Sequence, residues 1–179
     1  MKNNLSVREI RESDISLIID YWYDADDEFL YGLGVDINKI PSKEKWQNMF
    51  MEQISKPYQN KKSYCIIWEA DGIPIGHSNV NKILFGQEAY MHLHIWKKEF
   101  RKIGYGARLV KMTLPLFFEN LKLKNLYCEP YALNPSPNET LKSIGFEFIN
   151  EYVTIPGFLN FEQKVNLWKL SHKKLKTIS

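Results

Sequence analysis

The chain has 179 residues, of which 44% are hydrophobic and 25% are charged, and its formal net charge is +3. This length and composition are typical of a single globular domain over residues 1–179, and they exclude a disordered chain. The small net charge argues against nucleic-acid binding through bulk charge, and no apolar run is long enough to cross a membrane. We therefore expect a cytoplasmic protein without a secretion signal.

The first third of the chain predicts one strand followed by two helices. "LSVREI" alternates between apolar and polar residues, as a half-buried strand does. "RESDISLIIDYWYDADDEF" places its apolar residues at helical spacing. "SKEKWQNMFMEQISK" predicts a second helix, with Ser42 at its N-cap.

The middle of the chain predicts a meander of three antiparallel strands. "SYCIIWEADGIPIGHSNVNKI" contains two strand-like runs joined at Asp71-Gly72, a dipeptide suited to a tight hairpin turn. "EAYMHLHIW" supplies the next strand. Cys65 and Cys128 lie in apolar runs without further ligands at metal spacing, so we predict free thiols and no metal site.

The last third predicts two helices and three strands. A helix containing Pro115 follows a pair of glycines, and "KNLYCEPYAL" predicts the fifth strand. "SPNETLKSIG" predicts a short helix with a capping box between Ser136 and Glu139. Two further strands follow, and the basic residues from about 172 onward are interpreted as a tail that need not be ordered. The order β-α-α-β-β-β-α-β-α-β-β predicts an α/β fold with a mostly antiparallel sheet of about seven strands flanked by helices.

The stretch "RKIGYGARLV" places Gly104 and Gly106 where the fourth predicted strand gives way to a helix. A helix N-terminus leaves backbone N–H groups unpaired and attracts anions, and glycines let a phosphate approach the main chain. The pattern suits a diphosphate, although close packing at an ordinary loop–helix junction would also explain it. The Walker loop and the complete dinucleotide-binding fingerprint are both absent.

The surrounding residues add a resemblance. "HIWKKEFRKIGYG", followed after one helix by "YCEPYALNPSPNETLKSIGF", resembles the GNAT superfamily of acetyl-CoA-dependent N-acetyltransferases over roughly residues 63–148. Arg101-x-x-Gly104-x-Gly106 matches the family's (R/Q)xxGx(G/A) loop, and Asn134 stands eleven residues before Gly145, as the family's asparagine does. A proline occupies the position three residues after Asn134, where the family has a small residue.

The resemblance implies acetyl-CoA as the cofactor and assigns residues to it. The end of the fourth strand would pair its backbone with the pantetheine arm. The glycine loop would bind the pyrophosphate with main-chain N–H groups. An asparagine would contact the pantetheine region, where strands four and five separate. The residues so assigned are His94, Ile95, Trp96, Arg101, Lys102, Ile103, Gly104, Tyr105, Gly106 and Asn134.

Acetyl transfer to an amine requires the nitrogen to lose a proton, so the site needs a proton acceptor. Glu129 is the first candidate, because some peptide-acetylating family members carry a glutamate there; a purely structural strand-edge carboxylate is the alternative. Tyr90, His92 and His94 alternate along strand four and share one face. Tyr90 stands where other members have a glutamate base, and either histidine could take the proton or could be satisfied by cross-strand hydrogen bonds.

The general acid departs from the family pattern. Many members have a tyrosine seven residues after the motif asparagine, but Leu141 stands here and cannot donate a proton. Tyr131, of the same strand parity as Glu129, is a substitute candidate, and protonation of the leaving thiolate by solvent is the alternative.

The acceptor side is predicted from the end of the first helix. The carboxylates Asp24, Asp26, Asp27 and Glu28 cluster there and would attract a cationic amine, unless they form an ordinary solvated turn. The main hypothesis is an N-acetyltransferase that moves acetyl from acetyl-CoA to a primary amine of a small molecule or peptide by direct attack. The alternative is a non-catalytic acyl-CoA-binding sensor or interaction module on the same fold, which Leu141 favours.

Overall fold

The computed structural model describes residues 3–178, which form one seven-stranded sheet flanked by helices. The strands are β1 (Leu5–Glu9), β2 (Tyr64–Ala70), β3 (Ile73–Leu84), β4 (Glu88–Ile95), β5 (Asn125–Cys128), β6 (Glu147–Thr154) and β7 (Gln163–Ser171). The helices are α1 (Ile15–Tyr23), α2 (Asp27–Gly32), α3 (Lys43–Ser55), α4 (Tyr105–Asn120), α5 (Pro135–Ser143) and α6 (His172–Ile178).

The strand order is β1-β2-β3-β4-β5-β7-β6, and every neighbouring pair is antiparallel except β4 and β5. The predicted fold class is therefore confirmed. The hairpin between β2 and β3 turns at Asp71 and Gly72, whose φ angles are +53° and +76°. These are the positive angles that this dipeptide predicts.

The parallel pair opens partway along the sheet. β4 pairs with β5 only from Glu88 to Tyr90, opposite Asn125 to Tyr127. β4 then continues to Ile95, whereas β5 ends at Cys128. Beyond Tyr90 the edge of β4 that faces β5 lacks a neighbouring strand, and this opening positions the site described below.

Alternate residues of β2 divide the core between the two faces of the sheet. Trp68 is fully buried on the face that packs against α4. Cys65 and Ile67 are buried on the opposite face, which packs against α1 and α3. Because a strand presents successive side chains to opposite faces, one central strand serves both layers of helices.

The predicted first helix is broken in the structure. α1 ends at Tyr23, and α2 begins separately at Asp27. The break is stabilised by Asp26, whose Oδ1 accepts a hydrogen bond of 2.7 Å from the backbone N–H of Phe29. A capping carboxylate favours a new helix start, which helical periodicity alone does not reveal.

Two expectations near the C-terminus also need correction. The capping box between Ser136 and Glu139 is wrong, because α5 begins at Pro135 and Ser136 already lies inside the helix. The basic segment from His172 onward forms helix α6, in which Leu175 is buried. Burial of this apolar residue explains why the segment packs against the domain as a helix.

Candidate active site

A cavity of about 520 Å³ lies beside the point where β4 and β5 part. Its floor is the face of β3 and β4 that carries Asn79, Asn81, His92 and His94. Helices α1 and α3 and the connection between β6 and β7 supply the walls. The aromatic residues of these walls are Trp22, Trp46, Phe50 and Phe158.

The glycine pair lies at the start of α4, outside this cavity. Gly104 is the N-cap residue with a φ of +84°, and the first hydrogen bond of the helix runs from Arg108 N–H to Gly104 O at 3.5 Å. The N–H groups of the first helical residues therefore project beyond the helix end. A Cβ on Gly106 would come no nearer than 3.7 Å to its neighbours, so packing within the protein does not require glycine there. This observation favours the phosphate interpretation over the packing alternative.

Arg101 holds the main chain at the end of β4. Its Nε donates to the carbonyl of Ile95 at 2.9 Å, and one terminal nitrogen donates to the carbonyl of Trp96 at 2.8 Å. The guanidinium carbon also lies 4.3 Å from the ring centroid of Phe29 in α2. The side chain thus shapes the loop and joins it to α2 instead of projecting toward solvent.

The other loop residues assigned by the resemblance differ in exposure. Lys102 is exposed and has a φ of +60°, and Ile103 is also exposed. Tyr105 is buried, and its hydroxyl donates to the side chain of Asn3 at 2.6 Å. The side chain of Tyr105 therefore anchors α4, which leaves its main chain as the part available to a ligand.

The open edge of β4 presents main-chain groups toward the gap. The thiol of Cys128 donates to the carbonyl of Met91 at 2.9 Å, so the backbone of Met91 faces β5. By alternation, the N–H and C=O of Leu93 face the same side, beyond the last residue paired with β5. This is the geometry that an extended pantetheine arm needs for adding itself as a strand.

Asn134 lines the cavity across the gap, at the N-cap of α5. Its carbonyl accepts from Asn138 Nδ2 at 2.7 Å, and Asn138 Oδ1 in turn accepts from Asn166 and from the indole of Trp168. Asn138 therefore fixes the start of α5 against β7. Sequence reasoning missed this residue, because its partners are separated from it by 28 and 30 positions.

Glu129 lines the cavity, and both of its oxygens are engaged. Tyr152 donates its hydroxyl to Oε1, while the ammonium of Lys82 lies 3.1 Å from Oε2. Only 6% of the Glu129 side chain is exposed. Both carboxylate oxygens therefore already have a donor within the protein, one from β6 and one from β3.

Tyr131 lines the same cavity, whereas Tyr90 does not. The ring of Tyr90 stacks on Tyr127 at a centroid distance of 5.3 Å and lies 4.6 Å from the ammonium of Lys82. Burial and the nearby charge of Glu129 raise the pKa of the Tyr90 hydroxyl. Tyr90 is therefore placed to support Lys82 rather than to exchange a proton with a ligand.

Three histidines adjoin one another on the cavity floor. His77 and His94 stack with a centroid distance of 4.9 Å, and the hydroxyl of Tyr21 lies 3.3 Å from Nδ1 of His94. Desolvation lowers the pKa of His77 to about 3 and that of His92 to about 4, and it lowers the pKa of His94 well below its usual value. All three rings are therefore neutral at pH 7 and contribute polarity without charge.

The lowered pKa of His77 predicts a loss of stability in acid. Nδ1 of His77 accepts the indole N–H of Trp96 at 2.8 Å, so protonation of this nitrogen would break a buried hydrogen bond. The unfolded chain takes up this proton near pH 6.5, whereas the folded chain resists it until about pH 3. The contribution of neutral His77 to the free energy of unfolding is therefore complete above pH 6.5. It decreases as the pH falls, by about 2 kcal/mol between pH 7 and 4.5.

Urea titrations across this range will measure the effect. We expect the free energy of unfolding to depend less steeply on pH in His77→Gln than in the native protein. Equal slopes for the two proteins would show that His77 is not the group responsible.

The acidic cluster and Leu141 lie away from the cavity. Asp26 caps α2, and Asp24, Asp27 and Glu28 are exposed near it; none of the four lines the cavity. Leu141 is fully buried in the core under α4. The carboxylates that do line the cavity are Glu52 and Glu129, which pair with Lys56 and Lys82.

Within residues 3–178 no cluster of three His, Cys, Asp or Glu side chains is arranged to hold a metal ion. None of the helices in that range is both long and apolar enough to cross a membrane.

Comparison of the sequence with protein families matches residues 4–147 to the acetyltransferase (GNAT) domain. This match covers most of the chain, including the glycine loop, the opening between β4 and β5, and α5. Comparison with curated proteins finds no match.

Comparison with solved structures finds the same fold in distant sequences. Spermidine N-acetyltransferase from Vibrio cholerae, in complex with CoA and spermine, has a TM-score of 0.77 and 16% identity, covering 96% of this chain and 98% of that one. RimL, a ribosomal L7/L12 alpha-N-protein acetyltransferase in complex with coenzyme A, has a TM-score of 0.76 and 13% identity, covering 95% of each chain. An uncharacterized Bacillus halodurans protein, bh2621, has a TM-score of 0.73 and 13% identity, covering 98% of this chain and 88% of that one.

Proposed function

Because the chain belongs to the GNAT family of acetyl-CoA-dependent acetyltransferases, we propose that it transfers acetyl to a primary amine of a small molecule or peptide. One observation carries the proposal: the opening between β4 and β5 joins the unpaired start of α4 to a cavity with a polar floor. The named structural neighbours act on amines as different as spermidine and a protein N-terminus. The choice of acceptor for this chain must therefore come from its own cavity.

The residues at the opening fit acetyl-CoA. The main chain from Arg101 to Gly106, with the bare Cα of Gly106, suits the diphosphate, and the backbone of Leu93 suits the pantetheine arm. Asn134 faces this arm from the other side of the gap. Arg101 contributes by holding the β4 carbonyls, which fixes the loop before the ligand arrives.

When bound, acetyl-CoA supplies an acetyl thioester. The amine nitrogen bonds to the acetyl carbon and the carbon–sulfur bond breaks. The nitrogen loses one proton and the departing thiolate gains one, so the products are an amide and a thiol. His92 and His94 bound the space beside the open edge of β4, where the amine must approach. Since Leu141 is buried in the core, the proton for the thiolate must come from another donor, which is either Tyr131 of the cavity lining or water.

The side chains of the cavity suit an amine that is already neutral. The pKa of His92 is lowered to about 4, so this ring cannot readily take a proton from an alkylammonium group. Glu129 is engaged by Lys82 and Tyr152. We assign Glu129 a different role: its negative charge stabilises the positive charge that develops on the nitrogen as it attacks.

Acetyl-CoA is expected to stabilise the folded protein, because a ligand that binds only the native state shifts the unfolding equilibrium. At a concentration about 1,000 times the Kd the stabilisation is about 4 kcal/mol. Thermal unfolding followed by circular dichroism, with and without acetyl-CoA, measures this shift. AMP is a suitable control, since it lacks both the diphosphate and the pantetheine arm.

Unchanged unfolding at saturating acetyl-CoA would contradict the cofactor assignment. A thiol-release assay on primary amines then separates the enzyme from the sensor hypothesis that the buried Leu141 favours. A sensor binds acetyl-CoA and releases no thiol with any amine, whereas the proposed enzyme releases thiol in proportion to the amide formed.

A further inference from the structure

Within residues 3–178, the cavity lining contains a single lysine and no arginine. This lysine, Lys62, lies at the rim where the segment after α3 leads into β2, and its side chain is exposed. Its ammonium has no ion-pair or hydrogen-bond partner in the part of the chain that the structure describes. An unpaired positive charge at the mouth of an aromatic cavity attracts an anionic group of a ligand.

Two uncharged donors lie beside Lys62 in the same wall. Oε1 of Gln53 accepts hydrogen bonds from the backbone N–H of Lys62 at 2.7 Å and from that of Ser63 at 3.2 Å. Because both partners are donors, the oxygen must face them, and the N–H bonds of Nε2 remain available. Neither this nitrogen nor the Ser63 hydroxyl is a buried unpaired atom, so both are accessible to a ligand.

One positive charge and two neutral donors suit a carboxylate. An ionised carboxylate accepts hydrogen bonds through two oxygens, and an ammonium donor makes such bonds stronger. Glu52 lines the same wall, but it pairs with Lys56 and therefore does not neutralise Lys62. The phosphates of acetyl-CoA are expected at the start of α4, so this anion subsite is left for the acceptor.

The charges of the cavity are arranged with opposite signs at its two ends. Glu129 follows β5, on the far side of the open edge of β4, whereas Lys62 precedes β2. β2, β3 and β4 are consecutive in the sheet. Since neighbouring strands lie about 4.8 Å apart, the rim at β2 is about 10 Å from the open edge of β4.

We propose that Gln53, Lys62 and Ser63 form a carboxylate subsite, and that the acceptor is a linear primary amine with a carboxylate at its far end. The amine lies at the open edge of β4, and the carbon chain crosses the cavity beneath Trp46 and Phe50 of α3. Because Lys62 reaches into this span, a chain of about five methylene groups is long enough to bridge it. This inference rests on the proposed acetyl transfer, and it names the class of acceptor.

Three probe amines test the inference in the thiol-release assay. 6-Aminohexanoate has the amine, the chain and the carboxylate; 6-aminohexanamide has the same shape without the charge; 3-aminopropanoate has the charge on a shorter chain. We expect kcat/KM for 6-aminohexanoate to exceed that for each of the other two about tenfold, through KM, after correction for the neutral fraction of each amine. Equal values for 6-aminohexanoate and 6-aminohexanamide overturn the inference and leave acetyl transfer intact.

A set of matched variants isolates Lys62. In Lys62→Gln the ratio of kcat/KM between 6-aminohexanoate and 6-aminohexanamide should fall to about two, because only neutral donors remain. Lys62→Arg keeps the charge and should keep most of the ratio. Lys111→Gln is the control, since Lys111 is an exposed residue of α4 outside the cavity lining. A ratio that is unchanged in Lys62→Gln overturns the subsite.

Calorimetric binding of the probes to the protein saturated with CoA separates the two proposals. Binding of 6-aminohexanoate in preference to 6-aminohexanamide, without turnover of any amine, overturns acetyl transfer and supports the carboxylate subsite. Turnover of both probes with equal affinity for the two supports acetyl transfer and overturns the carboxylate subsite.

Discussion

Replacing Gly106 with aspartate will weaken the binding of acetyl-CoA at least about a hundredfold without destabilising the protein. Gly106 is the second residue of α4, and its added Cβ meets only ordinary contacts, the nearest at 3.7 Å. A carboxylate about 5 Å from one charge of the diphosphate, at an effective dielectric constant of about 20, raises the binding free energy by about 3 kcal/mol.

The same carboxylate should leave the unliganded protein as stable as before, or slightly more stable. A negative charge in the first turn of a helix contributes about 0.5 kcal/mol, and replacing glycine inside a helix adds a comparable amount. Binding and folding are thus expected to respond in opposite directions, which a general structural defect at this position would not produce.

Gly106→Asn is the matched control, because asparagine has nearly the shape of aspartate without its charge. Calorimetric titration of acetyl-CoA into the three proteins measures the effect. The asparagine variant reports the loss of affinity caused by any side chain on this Cα, and we expect the aspartate variant to bind about a hundredfold more weakly than the asparagine variant. Native affinity in Gly106→Asp would show that the diphosphate does not bind at the start of α4.

Replacing Glu129 with glutamine is expected to lower kcat about thirtyfold and to change KM for the amine little. If Glu129 stabilises the charge that develops on the attacking nitrogen, its loss removes about 2 kcal/mol of transition-state stabilisation. Lys82 is 44% exposed and can remain solvated without its partner. Glu151→Gln is the matched control, because Glu151 pairs with Lys164 at 3.0 Å on the exposed β6 and lies outside the cavity.

The pH profile distinguishes this role from that of a base. If the amine arrives neutral, kcat/KM rises with the neutral fraction of the acceptor, and its inflection follows the pKa of the amine. The pKa of His92, lowered to about 4, adds no inflection above pH 5. A fluorinated phenethylamine has a less basic nitrogen than phenethylamine, so its inflection should lie at a lower pH. The shift between the two amines should be the same in the native protein and in Glu129→Gln.

An inflection that stays at one pH for both amines and vanishes in Glu129→Gln would establish Glu129 as the general base. The hypothesis derived from the sequence would then stand in its original form. Activity of Glu129→Gln equal to that of the native protein would exclude both roles.

The elements of the fold were predictable because their signals are local. The hairpin at Asp71-Gly72, the helix capped by Ser42 and the loop before α4 each depend on residues within a few positions of one another. The Ser136 capping box failed for a local reason as well, since Pro135 starts the helix earlier. Proline is favoured at the first helical position, and this preference outweighed the weaker box pattern.

The contacts of the candidate site were not predictable in the same way. Glu129 receives Lys82 from 47 positions earlier and Tyr152 from 23 positions later, so its engagement depends on the order of strands in the sheet. The acidic residues after α1 formed a plausible acceptor site in the sequence, but Asp26 caps α2 and the group lies outside the cavity. Alternation does predict one shared face for His92 and His94, and the structure places both on the cavity floor.

Arg101 has a role that a linear motif does not express. The motif suggests a positive charge for the diphosphate, yet the guanidinium binds the carbonyls of Ile95 and Trp96 and lies against Phe29 of α2. One side chain therefore joins the main chain at the end of β4 to α2.

The two cysteines are protected from reaction in the folded protein. Cys65 and Cys128 are both buried, and desolvation raises the pKa of each thiol well above its usual value. The thiolate is the reactive form, so neither sulfur is readily alkylated or oxidised while the chain is folded. A disulfide reagent that changes colour on reaction with a free thiol will therefore detect released coenzyme A with little background from the folded protein. Reaction of the reagent with the protein itself becomes a direct signal of unfolding.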